Sequence, residues 1–224
     1  LKVAFRNLAK YKVQSIVSIL GLAVGFVCFA LSTLWIRYEM TYDTFHEGAE
    51  RIYLVRAHYA HEPGKISNST PYPLADYLQK GNPEIEAMAS TSVQKVKFRV
   101  KDTEKDVVSA TADSVLMNFF NIRVLRGTVN FLKGTNGEIA ITEEFSKRIF
   151  GEEEALGREV EVSGHASKVG AIVSGWSSHS NIPYSILTSA RHYTQWGSAN
   201  ENLFVRIRKG TNGEEFQKKI AALR

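Results

Sequence analysis

Between Ile16 and Ile36 the chain reads IVSILGLAVGFVCFALSTLWI without a single charged residue, and the uncharged run reaches back to Val13. A helix that crosses the hydrocarbon core of a bilayer needs about 20 such residues. A buried core helix is usually shorter and seldom apolar on every face. A cleaved signal peptide shares the basic start, and Ala30-Leu31-Ser32 has the small-x-small spelling of a cleavage site. The apolar run continues beyond that site, however, and exceeds the roughly 7–15 residues of a signal core. A lipoprotein signal needs a small residue before its cysteine, and Val27 precedes Cys28. Residues 13–36 therefore read as an uncleaved membrane helix.

Lys2, Arg6, Lys10 and Lys12 precede the helix, and no acid occurs before Arg37. By the positive-inside rule these bases hold the N-terminus in the cytoplasm and send residues 37–224 across the membrane. Trp35, Tyr38 and Tyr42 stand at the far end, where amphipathic rings anchor at the interface. Within residues 1–12, Phe5, Leu8 and Ala9 can share one side of a helix opposite Lys2, Arg6 and Lys10, as in a segment lying along the headgroups. An elbow near Lys12 is then expected.

Ser18, Gly21, Gly25, Cys28 and Ser32 recur at spacings of three and four. They form one stripe of small residues on the helix, including a GxxxG. Such a stripe lets a second helix approach closely, so a partner helix in the membrane is expected.

The net charge of +5 belongs mostly to the N-terminus. Without those four bases, 24 basic residues face 23 acidic ones, which gives nucleic-acid binding no electrostatic support. Cys28 is the only cysteine, so no intrachain disulfide can form. A cysteine-free exported domain suits a bacterial envelope. The chain begins at Leu1 rather than Met and is expected to be part of a longer protein.

Beyond the membrane, Asp43 or Thr44 is expected to cap a short helix. Ile52 to Tyr59 alternates as a strand. Pro63, Gly64, Asn68, Pro71 and Pro73 mark a loop, followed by a short helix from Tyr72 to Lys80. Asn82-Pro83 predicts a new helix with proline at its first position. Val93–Val100 and Asp106–Ala112 form a hairpin pattern, and Met117, Phe119 and Phe120 read as core. From Gly137 a strand leads into a helix capped by Thr142, with Glu143 and Glu144 at its start, Lys147 and Arg148 near its end and Gly151 as its stop. Glu154–Val162, Ser167–Gly175 and Asn202–Arg208 read as strands, and Glu214–Leu223 as a helix. KGTNGE occurs at Lys133 and again at Lys209, and is expected to act as turn chemistry in both places.

Four segments in order, NLAKYK (Asn7–Lys12), GLAVG (Gly21–Gly25), YDTFH (Tyr42–His46) and RIYLV (Arg51–Val55), resemble the N-terminal region of the MacB/FtsX-like ABC-transporter permeases, especially Bacteroidetes-type members. ADSVLMNFFNIRVLRG (Ala112–Gly127) and HSNIPYSILTS (His179–Ser189) extend the likeness. The resemblance implies an α+β fold: one N-terminal transmembrane helix, then a periplasmic core domain over residues 37–224. That domain is expected to have two lobes, a porter-like α/β lobe with a small β-rich lobe inserted at about residues 127–185. Family members continue into further membrane helices. The resemblance also implies a bacterial inner-membrane location and a cytoplasmic ATPase subunit as partner. Pairing as a homodimer or with a second permease follows, as does a periplasmic partner protein.

No catalytic constellation is legible. There is no GxxxxGK[ST], G-x-S-x-G or HExxH, so no ATP site, cofactor or metal is expected on this chain, and ATP belongs to the partner. His58, His61 and Glu62 are the best metal candidates, but they lack a second ligand pair at matching spacing. His165, His179 and His192 are scattered. Two classes of function follow: a permease that transmits the partner's ATP hydrolysis to a periplasmic domain, or a single-pass anchored sensor with an extracytoplasmic ligand domain.

Overall fold

A computed structural model describes residues 6, 10–58, 64–101, 103–176, 180–191, 194–197 and 199–222, with the side chains of 199 and 200 excepted. Two units result, Leu1–Tyr42 and Asp43–Arg224.

In the first unit, helix α1 spans Lys12–Met40, 29 residues. At 1.5 Å per residue it is about 44 Å long, more than the hydrocarbon core requires. Its most apolar stretch has a mean hydropathy of 2.3, and none of its residues is buried. It thus exceeds the expected 13–36 at both ends, because Arg37 and Glu39 do not interrupt the backbone ladder. Tyr11 leaves helical geometry at φ −110° and ψ 54°, which places a break where the elbow was expected. Arg6 and Lys10 are helical, whereas Lys2 and the apolar side formed by Phe5, Leu8 and Ala9 lie outside the described residues.

The second unit begins with turns and a 3-10 turn at Ala49–Arg51, after Gly48 in the left-handed region at φ 72°. The expected helix capped by Asp43 or Thr44 does not form, because the Asp43 carboxylate is engaged elsewhere. Strand β1 covers Ile52–Val55 and β2 Ala57–His58, so the expected single strand breaks at Arg56; Tyr59 is outside the described residues. Next come β3 (Ile66–Ser67), β4 (Thr70–Pro71) and helix α2 (Leu74–Gly81). Asn82 closes α2 by donating from Nδ2 to the Leu78 carbonyl at 2.8 Å. The helix expected at Asn82-Pro83 is instead a turn into β5 (Ile85–Thr91). Pairing with a later strand, β13 (Ala199–Ile207), decides this.

β5 runs through Ser92 into β6 (Val93–Val100), which forms a hairpin with β7 (Thr103–Ala112). Thr111 pins the crossing: its Oγ1 accepts from the Ser92 amide at 2.8 Å, and its carbonyl accepts from Thr91 Oγ1 at 2.7 Å. Helix α3 (Ser114–Phe119), capped by Asp113, leads to β8 (Val124–Gly127) and a 3-10 turn at Val129–Lys133. Strand β9 (Glu138–Thr142) then enters α4 (Glu143–Phe150), whose Thr142 cap and Gly151 stop match the sequence reading. β10 (Glu159–Val162), β11 (His165–Val173), β12 (Ile186–Ser189) and, after β13, helix α5 (Gly213–Ala221) complete the unit. β10 is shorter than the pattern from Glu154 suggested, because Gly157 turns the chain at φ 78°.

One sheet has β13 at its centre, paired antiparallel with β1, β4 and β5. A second sheet follows β10-β6-β7-β12-β9-β11 and closes through β10–β11 into a six-stranded barrel, with β8 added to β11, while β2 and β3 pair by themselves as a two-stranded ribbon. β6 and β7 belong to this sheet although they lie outside residues 127–185, since strand β5 carries the chain directly into it. Three apolar clusters follow. Phe98, Phe145, Ile141 and Ile172 fill the barrel, with the Phe98 and Phe145 rings 5.0 Å apart. Leu78, Val205 and Phe216 join α2 and α5 to one face of the first sheet. Its other face, through Ala87, Ala89 and Phe204, shares a core with α3, Phe131 and the outer side of the barrel.

Candidate functional site

The segment Asp43–His46 closes onto residues 120, 176, 180 and 181, all within the second unit. Asp43 adopts the left-handed region at φ 57°. For a residue other than glycine this costs about 1–2 kcal/mol, and aspartate tolerates it better than most. Its carboxylate accepts hydrogen bonds from the Ser180 hydroxyl, from the Asn181 amide nitrogen at 3.3 Å and from Asn181 Nδ2 at 2.7 Å. The Ser180 Oγ also accepts from the Ile182 amide at 3.2 Å, which fixes the hydroxyl rotor towards Asp43. Bonds to a charged acceptor are about twice as strong as neutral ones.

The backbone then turns, with the His46 amide donating to the Asp43 carbonyl at 3.3 Å. This sets the His46 ring against Phe120 at 4.8 Å and edge-on to Trp176 at 4.9 Å. Trp176 packs on Phe120 at 4.8 Å and on Tyr184 at 5.0 Å, and Phe120 on Phe204 of β13 at 5.1 Å. Edge-to-face pairs of this kind contribute about 0.5–1.5 kcal/mol beyond area burial. Tyr184 donates to the Ser174 carbonyl at 2.9 Å. Burial, aided by the Arg206 charge and opposed by Asp43, holds the His46 imidazole below its usual pKa, so it favours the neutral form. Arg206 itself donates to the Phe119 carbonyl and lies 4.5 Å from that ring's centre. The arrangement holds and positions a backbone.

A second feature is an apolar cleft of about 1100 Å³ on the helical face of the first sheet. Tyr53, Val55, Tyr77, Trp196, Phe216 and Ile220 line it, with Tyr77 and Trp196 edge to face at 6.2 Å.

The residues singled out in the membrane helix belong to the first unit. Ser18, Gly21, Gly25, Cys28 and Ser32 are exposed, and a Cβ added to Gly21 or Gly25 meets nothing within 4 Å. Trp35, Tyr38 and Tyr42 form a ladder, with centroids 6.3 Å and then 5.6 Å apart. Among the described residues no group of three metal-ligating side chains converges. His58 and His165 are exposed, and His61, Glu62, His179 and His192 lie outside the described residues. Sequence reasoning missed Asp43, Ser180 and Asn181 as a unit, since 137 and 138 positions separate the partners. The only signal was that YDTFH and HSNIPYSILTS both stood out as segments.

Comparison with known proteins gives a consistent picture. The sequence profile of the MacB-like periplasmic core domain matches residues 15–223. A domain of a protein described as a permease, from Porphyromonas gingivalis, superimposes with a TM-score of 0.64 at 18% identity, covering 79% of this chain and 83% of that one. The extracellular domain of the noncanonic ABC-type transporter YknZ from Gram-positive bacteria gives 0.53 at 16%, over 75% and 86%. The periplasmic region of MacB from Actinobacillus actinomycetemcomitans gives 0.54 at 12%, over 75% and 79%. These likenesses establish the fold. No curated protein matches the sequence.

Proposed function

The chain belongs to the family of MacB-like periplasmic core domains, and from that premise we propose that it is the permease, or mechanotransmission, subunit of an ABC transporter. Hydrolysis of ATP by a cytoplasmic partner subunit would change how its membrane helices pack, and that change would reach the periplasmic domain, for export or another envelope process. The observation that carries this reading is a single family match running from residue 15, inside an exposed apolar helix, to residue 223. In this reading the nucleotide binds to the partner subunit, and this chain transmits motion.

In this reading Lys2, Arg6, Lys10 and Lys12 keep the N-terminus in the cytoplasm, and Trp35, Tyr38 and Tyr42 settle at the periplasmic interface of the inner membrane. The stripe of Ser18, Gly21, Gly25, Cys28 and Ser32 takes a partner helix, from a second copy or a paired permease; the open space over both glycines supports it. The periplasmic domain works as two lobes, the barrel being one. The test is reconstitution with the ATPase of the same transporter. Gly21→Leu/Gly25→Leu should lower assembly or stimulated ATP hydrolysis, and wild-type behaviour of this variant would count against the small-residue face. Failure of the wild-type chain to bind any ABC ATPase would overturn the permease reading.

The apolar cleft beside Trp196 favours a second reading, an anchored binding protein whose ectodomain takes an apolar ligand there. Saturable quenching of Trp196 by such a ligand, with no ATPase dependence, is the result that would prefer it.

A further inference from the structure

We propose that Asp43 is the positioning residue through which displacement of helix α1 is handed to the ectodomain, an inference that rests on the permease reading above. Helix α1 ends at Met40, and only Thr41 and Tyr42 separate it from Asp43. Three Cα–Cα steps span at most about 11 Å when fully extended, so the linker has little slack. Any larger displacement of the helix end must either move Asp43 or break its bonds.

Asp43 is built to move with its partners. A left-handed backbone at a residue other than glycine persists only where the surroundings over-determine it, and such sites cluster where a fold does its work. Here the Ser180 hydroxyl and both nitrogens of Asn181 hold the carboxylate, and Ser180 is 4% exposed. Residues 180–185 lead without interruption into β12, which lies between β7 and β9 in the barrel. His46, three residues after Asp43, is wedged against Phe120 and Trp176, and Phe120 contacts Phe204 on β13. A pull on Asp43 is therefore shared between the barrel, through residues 180–186, and the first sheet, through Phe120. Stabilising the fold alone would not require the tie to follow the membrane helix by so few residues along the chain.

The test uses the full permease with its ATPase in liposomes, and compares hydrogen exchange across residues 180–191 with and without ATP plus orthovanadate. Asp43→Asn replaces one accepting oxygen with a donor facing Asn181 Nδ2. The double variant Asp43→Asn/Asn181→Asp restores an amide–carboxylate pair with the roles reversed. The proposal predicts that the single variant assembles, hydrolyses ATP and keeps a folded ectodomain, but loses the nucleotide-dependent change in 180–191. The double variant should regain it. A purely structural role would lower the melting temperature in the single variant, recover it in the double variant and leave the nucleotide response intact in both. Retention of the response in Asp43→Asn, or no recovery in the double variant, overturns the proposal while leaving the permease reading standing. Absence of any response in the wild type overturns both.

Discussion

Gly127 closes the junction of β8 and β11, and replacing it with alanine gives a demanding test of how that edge strand packs. Its φ is +86°, and an added Cβ would lie 2.3 Å from the Gly170 carbonyl oxygen, 2.9 Å from Ala171 Cα and 2.9 Å from Leu156 Cδ2. The first two are backbone atoms of β11, which pairs with β9 and β10 as well and cannot simply retreat. The left-handed backbone costs about 1–2 kcal/mol. Overpacking adds about 1–3 kcal/mol, so the total is about 2–5 kcal/mol. In a domain of this size each kcal/mol lowers the melting temperature by about 2–4 °C, giving a fall centred near 10 °C. Gly210 is the internal control, because it has the same φ of +86° but nothing within 4 Å of an added Cβ. Gly210→Ala should therefore lose only the backbone contribution. Thermal melts of the detergent-purified chain, followed by near-ultraviolet circular dichroism, compare the two. Coincident melting of Gly127→Ala and Gly210→Ala would refute the close approach and with it the packing of β8 against β11 described here.

Two further outcomes are expected. The His46 imidazole is held below its usual value of 6.5 in the folded state, so the unfolded chain binds more protons at mildly acid pH. Stability should be complete above about pH 6.5, decline as pH falls below it, and level off below the folded value; His46→Phe should flatten that window in pH-dependent melts. Asn212 caps α5 by accepting from the Glu214 and Glu215 amides, and Asn212→Ala should cost about 1 kcal/mol, read as a small drop in melting temperature.

The parts of the fold that were legible in the sequence are those whose causes are local. Helix α1 follows from an uncharged run, and α4 from Thr142, the charged turns and Gly151 within ten positions. The two KGTNGE copies also behave locally: Asn136 Oδ1 accepts from the Glu138 amide and Asn212 Oδ1 from the Glu214 amide, although a strand follows one and a helix the other. Strand β5 misled because its ladder with β13 shifts register near Ile85, and Ile85 and Met88 then pack in one cluster at a helical spacing of three. Barrel closure was not visible either, since it depends on the parallel pairs β9–β11 and β7–β12 and on β10 meeting β6. The Asp43 tie is the extreme case. Aspartate before a helical-looking stretch satisfies every rule for a cap, and only tertiary contact shows that Ser180 and Asn181 claim the carboxylate first.

Under the proposed function, events at a cytoplasmic ATPase reach the domain across the membrane. The most direct measurement is hydrogen exchange over Asp43–Arg224 of the wild-type chain, reconstituted with its ATPase, before and after trapping with ATP and orthovanadate. On trapping, discrete ectodomain segments should change protection, with residues 180–191 among them. Exchange profiles that superimpose across the whole domain, while the ATPase is demonstrably trapped, would contradict it.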